Sequence, residues 1–128
     1  MKILIIDDIP MSYEINEILK SLKTYNSTAI IFKPKSLERK ELYEELRLLC
    51  EKEKFNFALL DYELWGGGEF CGDELIPILK AMNISFFAFS GRVSFNSILE
   101  QKGAMRSILK DKNIKGDQAV SQMLSFIS

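Results

Sequence analysis

Hydrophobic residues along this chain fall into two alternating patterns. Short continuous apolar runs, which suit strands buried on both faces, alternate with stripes at helical spacing. The runs are Ile3–Ile6, Thr28–Phe32, Phe55–Leu60, Ile84–Phe89 and Arg106–Leu109. The stripes are Met11, Ile15, Ile18, Leu19 and Leu22; then Leu42, Leu46, Leu49 and Cys50; then Leu75, Ile76, Leu79 and Met82; and finally Val120, Met123, Leu124 and Ile127. Between the fourth and fifth runs, Ser94 reads as the cap of a short helix through Leu99, which Gly103 ends. Pro77 falls in the first turns of its helix, where a missing amide costs little. Trp65–Gly68 reads as a loop by composition. Five strand-then-helix repeats predict an α/β protein: a parallel sheet covered by helices on both faces, in one domain spanning residues 1–128.

The runs end on residues that carry chemistry: Asp7-Asp8, Asp61, Ser90 and Lys110. An open parallel sheet gathers its strand ends on one edge, and ligands bind there. Three carboxylates brought together repel one another, and a hard divalent cation with oxygen preference relieves that repulsion; Mg²⁺ fits this donor set. A carboxylate also serves as a nucleophile toward phosphorus, and phosphoryl transfer needs mainly positioning and charge neutralisation. Taken singly, each residue has a plainer reading. Asp7-Asp8 suits a strand end leading into a cap, Asp61 a turn, Ser90-Gly91 a strand exit, and Lys110 a solvated lysine.

Composition narrows the options. The chain has no histidine, which removes histidine bases, histidine nucleophile partners and histidine metal ligands. The formal charge of −1 gives no footprint for nucleic acid. No apolar stretch reaches membrane-spanning length, and the start, MKILIIDD, lacks an export signal, so a cytoplasmic protein is expected. Cys50 fits a buried helical stripe, and Cys71 precedes a helix; the pair suggests no disulfide framework. The segment from Glu38 to Lys54 reads as a helix with a solvated charged face.

These pieces together resemble a response-regulator receiver domain. The string IIDD at 5–8 looks like the acidic pair closing the first receiver strand. FALLDYEL, then Gly66–Gly68 and GDEL, is similar to the phosphoacceptor strand and its loop. FAFSG resembles the fourth strand with its Ser/Thr switch residue, and GAMRSILK the Gly-Ala, strand and lysine that follow. The resemblance covers nearly the whole chain. It implies a doubly wound, five-stranded, flavodoxin-like receiver fold with strand order 2-1-3-4-5. By position, Asp61 is the phosphoacceptor and a metal ligand. Asp7 and Asp8 hold Mg²⁺, with Asp8 the more direct ligand, and Glu63 offers its backbone carbonyl. Ser90 binds the phosphoryl group, and Lys110 pairs with one of its oxygens. Trp65 reads as a partner contact or as an aromatic folded over its neighbours.

The chain departs from the family pattern in three places, one of them the unusually flexible glycine-rich loop Trp65–Gly68 after the phosphoacceptor position. Asp111 stands where proline usually follows the lysine, and Ser107 where an aromatic usually precedes it by three. Phe87 and Phe89 are the aromatics nearest in sequence. The reading that results is a phosphorylation-dependent switch, not an enzyme acting on an external substrate. It takes its phosphoryl group from a histidine kinase or phosphotransfer protein and acts through protein–protein contact, with a homodimer through the same face compatible. The initial Met and an end soon after the last helix suggest a stand-alone receiver. The alternative is a pseudo-receiver, a binding module that keeps the fold without phosphate control. A carboxylate-nucleophile phosphohydrolase fits less well, because Glu63 stands where such enzymes place a second aspartate.

Overall fold

The computed structural model describes residues 1–9, 11–34, 38–65 and 70–127, with the side chains of Trp65 and Ile127 excepted. Four strands form a parallel sheet: β1 (Lys2–Ile6), β2 (Thr28–Phe32), β3 (Phe57–Leu60) and β6 (Ser85–Ala88). Their order is β2-β1-β3-β6. The register pairs Ile3 with Ala29 and Phe57, and Leu59 with Phe87. Helices α1 (Tyr13–Thr24), α2 (Arg39–Glu53), α3 (Ile76–Ala81), α4 (Val93–Gln101) and α5 (Gly116–Ile127) supply the crossovers and cover.

Continuous apolar runs follow from burial of both sheet faces, because side chains alternate sides along a strand. Leu4, Ile6, Ala58, Leu60, Phe86 and Ala88 point to one face, where they meet Leu42, Leu46 and Cys50 of α2 and Leu79 of α3. Ile3, Ile5, Phe57, Leu59, Phe87 and Phe89 point to the other, against Ile15, Ile18 and Leu22 of α1 and Val120 and Met123 of α5. Phe87 sits edge-on to both Phe57 and Phe126. Phe87 and Phe89 are thus fully packed core, not surface aromatics. Cys50 is core as well, and burial pushes its thiol up to about 11.

Local signals set the helix ends. Ser12 caps α1 through its hydroxyl, which accepts the Ile15 N–H. Met11 therefore lies outside the helix, 80% exposed, rather than on its buried face. Pro77 sits at the start of α3, and a 3₁₀ turn (Gly72–Leu75) leads into that helix. Ser94 lies inside α4, not at its cap. The cap position is Arg92, without a side-chain bond, and the helix runs two residues past Leu99. Gly103, at φ +121°, takes a backbone conformation that a residue with a Cβ rarely adopts, and ends the excursion.

Two segments differ from the sequence expectation. The stretch after Asp61, with a loop expected only at Trp65–Gly68, contains an antiparallel hairpin of β4 (Glu63–Trp65) and β5 (Phe70–Cys71), so that Trp65 ends a strand. Its turn, with Gly66–Gly68, lies outside the described residues. The fifth strand expected at Arg106–Leu109 is reduced to one parallel bridge between Ala88 and Ser107. Three rungs keep it beside β6: Ala88 donates to Arg106, Ile108 donates to Ala88, and Lys110 donates to Ser90. The ladder fails at its ends for identifiable reasons. Met105 bonds the Phe86 carbonyl one residue out of step, and the Ser90 N–H, due to bond the Ile108 carbonyl, is taken by the Asn96 side chain.

Gly72 shows how tightly the hairpin is folded back on β3. Its N–H donates to the Tyr62 carbonyl at 2.6 Å, and a Cβ there would lie 1.9 Å from the Asp61 carbonyl oxygen. Backbone on the opposing side cannot swing away as a side chain would. Gly72→Ala is expected to lower stability by about 3 kcal/mol, read from urea unfolding with an unchanged m-value. A loss below about 0.5 kcal/mol, the range of ordinary surface substitutions, would show that the packing here is loose.

Candidate phosphoryl and metal site

β1 and β3 carry their carboxylates to the same edge because they are neighbours in register. Both ladders continue one residue past the strands: Asp7 N–H bonds the Phe32 carbonyl, and Asp61 N–H bonds the Ile6 carbonyl. Asp7 is fully buried and Asp61 is 4% exposed. Lys110 arrives from the segment beside β6, and its ammonium lies 2.7 Å from Asp7 Oδ2 and 2.7 Å from Asp61 Oδ2. The remaining oxygens are met by backbone: Ile9 N–H bonds Asp7 Oδ1, and Tyr62 N–H bonds Asp61 Oδ1. No buried side-chain nitrogen or oxygen among the described residues lacks a partner.

Asp7, Asp8 and Asp61 each offer an oxygen within 4.8 Å of the others. Asp8 is the more exposed of the three and faces an open cleft of about 350 Å³, lined also by Ile9, Asp61, Glu63, Ser90, Gly91, Arg92 and Lys110. All six residues singled out from sequence thus come to one place: five line this cleft, and Asp7 lies beneath it, bonded to Lys110. The donor set is hard oxygen, which suits Mg²⁺ and leaves room on the cleft side for water or phosphate oxygens.

Electrostatics follow from the burial. Burial pushes the Asp61 carboxyl up to about 6; the Lys110 charge and hydrogen bond pull it down, and the Asp7 charge adds to the rise. Burial also raises Asp8, with the Asp7 charge next in weight. For Lys110, burial acts to lower the pKa, but Asp61 and Asp7 together outweigh it and the ammonium is held above its usual range. The site therefore holds a protonated lysine against Asp61, whose ionisation burial makes costly.

Several surrounding residues were not singled out from sequence. Asn96, 3% exposed, accepts the Ser90 N–H at 2.8 Å and donates to the Ser90 carbonyl at 3.1 Å. Its only signal in the sequence is its spacing: it stands three residues before the buried Leu99, on the inward face of α4. The Ser90 hydroxyl accepts the Arg92 N–H at 3.3 Å. Tyr62 stacks on Phe95, with centroids 4.6 Å apart, Arg92 lies over the same ring, and Arg92 and Glu63 approach to 3.8 Å. These contacts join the start of the hairpin to the start of α4. The side chain of Ser107 is bonded to Glu100 of α4. Asp111, in the position after Lys110, turns its carboxylate to the Asn113 N–H, so it is engaged in its own turn.

No protein-family model matches the sequence, and no curated protein matches it. Solved structures do match in fold. The beryllofluoride-activated N-terminal receiver domain of RstA from Klebsiella pneumoniae is 19% identical, with 99% of this chain and 97% of that one covered, at a TM-score of 0.69. TrrA from Thermotoga maritima, a response regulator solved with Mg²⁺ and beryllofluoride, is 18% identical over 99% and 98% of the two chains, at 0.69. An orphan response regulator of H. pylori is 14% identical over 100% and 97%, at 0.72. Among the described residues no helix is long and apolar enough to cross a membrane. With its parallel sheet ordered β2-β1-β3-β6 and its matches running the length of both partners, the chain has the receiver fold of response regulators.

Proposed function

We propose that this protein is a phosphorylation-dependent signalling switch that takes a phosphoryl group on Asp61, with Mg²⁺ held by Asp7, Asp8 and Asp61 and by the backbone carbonyl of Glu63. The observation that carries the reading is the convergence of three carboxylates and Lys110 at one sheet edge, with Asp61 opening onto a cleft shared by Ser90. The donor is a phosphohistidine on a partner kinase or phosphotransfer protein, since the chain has no histidine. An Asp61 oxygen attacks phosphorus, the phosphorus–nitrogen bond to the partner's imidazole breaks, and the imidazole leaves with the bonding pair. Bound Mg²⁺ supplies charge neutralisation for the phosphoryl oxygens. Lys110, freed from Asp61 as that carboxylate becomes an acyl phosphate, moves its charge to a phosphoryl oxygen. Ser90 turns its hydroxyl from the Arg92 amide toward the new group. Output then passes by protein contact, since up to about two added negative charges shift a pre-existing equilibrium. A cytoplasmic setting suits this role.

A second reading, the phosphate-independent binding module, is favoured by one observation. Ser107 stands where an aromatic rotor is expected and is bonded to Glu100. The two readings differ in what metal and phosphate do.

Incubation with Mg²⁺ and a small acyl-phosphate donor is expected to add one phosphoryl mass to the wild type and none to Asp61→Asn. Labelling of Asp61→Asn on another residue would overturn the assignment. The Asp61 carboxyl titrates upward of its usual range, to about 6, so its nucleophilic and metal-binding form is gained as pH rises. Magnesium affinity, followed by calorimetry, is accordingly expected to climb roughly tenfold from pH 5 to pH 7 and then level. A flat profile from pH 5 upward would show an Asp61 already ionised. The same raised pKa means that Asp61 favours the folded state most below its unfolded pKa, and that this contribution is lost as pH rises through about 6. Lys110→Ala leaves two buried carboxylates facing each other and is expected to cost about 3 kcal/mol without metal. Millimolar Mg²⁺ should recover much of that loss in thermal unfolding. A variant insensitive to Mg²⁺ would favour the binding module.

A further inference from the structure

Ser90 stands at the point where the sheet ladder stops, and the reason it stops is a side chain. The neighbouring rungs send the Ala88 N–H to Arg106 and the Lys110 N–H to the Ser90 carbonyl, so the Ser90 N–H should meet Ile108. It meets Asn96 Oδ1 at 2.8 Å instead, while Asn96 Nδ2 returns a bond to the Ser90 carbonyl at 3.1 Å. Asn96 is 3% exposed and belongs to the first turns of α4, its own N–H bonded to the Arg92 carbonyl. Helix and switch residue are therefore joined by two buried hydrogen bonds on one amide. The link between them is short as well: only Gly91 and Arg92 separate Ser90 from the helix, and a Cβ at Gly91 would come within 3.0 Å of the Lys110 carbonyl.

We infer that Asn96 is a positioning residue that makes Ser90 and the first turn of α4 one rigid unit, so that a displacement of Ser90 is carried directly into the helix. A buried polar pair is costly to break singly, so the helix follows Ser90 rather than parting from it. The chain thereby has a route from its site to its surface that does not use the position of Ser107. Its use in signalling rests on the phosphoryl switch proposed above; the link itself does not.

The test has a ligand-free arm and a loaded arm, both read by amide hydrogen exchange on the full chain. Without ligand, Asn96→Ala is expected to lower protection of the Ser90 amide at least about tenfold, while amides in the centre of β1 and β3 keep theirs. An unchanged Ser90 amide in Asn96→Ala would overturn the link, as would a loss of protection shared equally by the β1 and β3 amides. In the loaded arm, Mg²⁺ with beryllofluoride serves as the phosphoryl mimic. Wild type is expected to change exchange across Val93–Gln101 on loading, and Asn96→Ala to bind the mimic with that change at least halved. An α4 response as large in Asn96→Ala as in wild type would overturn the inference. Wild type that fails to bind the mimic would instead overturn the phosphoryl switch, while the ligand-free arm still decides whether the Asn96 link stands.

Discussion

Two carboxylates nearly sealed from water share one lysine, and this interaction sets the terms for the whole sheet edge. Asp7 and Asp61 have little bulk solvent to stabilise their charge, so Lys110 must lie between them, and it does so at hydrogen-bonding distance from both. The chain must therefore deliver residues 7, 61 and 110 to one point. It does this by placing β1 and β3 side by side and running the segment before Lys110 along β6. The arrangement is kept together by apolar packing on both sheet faces, not by the ion cluster, whose burial is a cost that the surrounding core offsets. Lys110, with only 14% of its side chain exposed, neutralises both carboxylates within this cluster.

The surroundings of the cluster are built to limit how Asp61 and Ser90 move. On one side the β4–β5 hairpin folds back until Gly72 touches the Asp61 carbonyl, which leaves Asp61 little backbone freedom. On the other side Asn96 fixes the Ser90 amide to α4. The Tyr62–Phe95 stack and the approach of Arg92 to Glu63 close the gap between these two supports above the cleft. Asp61 is thus braced by neighbouring backbone, while Ser90 is tied to α4.

Much of the fold was legible because its signals are local or periodic. Apolar runs of four to six residues, with helical stripes between them, require strands buried on both faces, and the alternation of Leu4 and Ile6 against Ile3 and Ile5 fulfils that requirement. The hairpin after Asp61 was not legible: its strands are three and two residues long, too short for any period to emerge. The fifth strand falls short of its expected length for a different reason. Its composition suits a strand, but the rung that would extend it is removed by Asn96, a residue from another element. Ser94 likewise looks like a cap, while the chain enters the helix two residues earlier at Arg92.

By itself the sequence determined the kind of protein this is: an open parallel α/β sheet with acids, a hydroxyl and a lysine at its strand ends. Periodicity and residue chemistry are properties of the linear chain, and the rule that strand ends share an edge supplies the rest. Only the tertiary structure decided how those groups are joined. The bridging of Asp7 and Asp61 by Lys110 spans 103 and 49 residues of chain. The clamp of Asn96 on Ser90 and the contact of Gly72 with Asp61 depend on the orientation of one element against another. Such contacts leave no trace in the order of residues, because an asparagine in a helix reads the same whether its amide faces water or grips a neighbouring peptide.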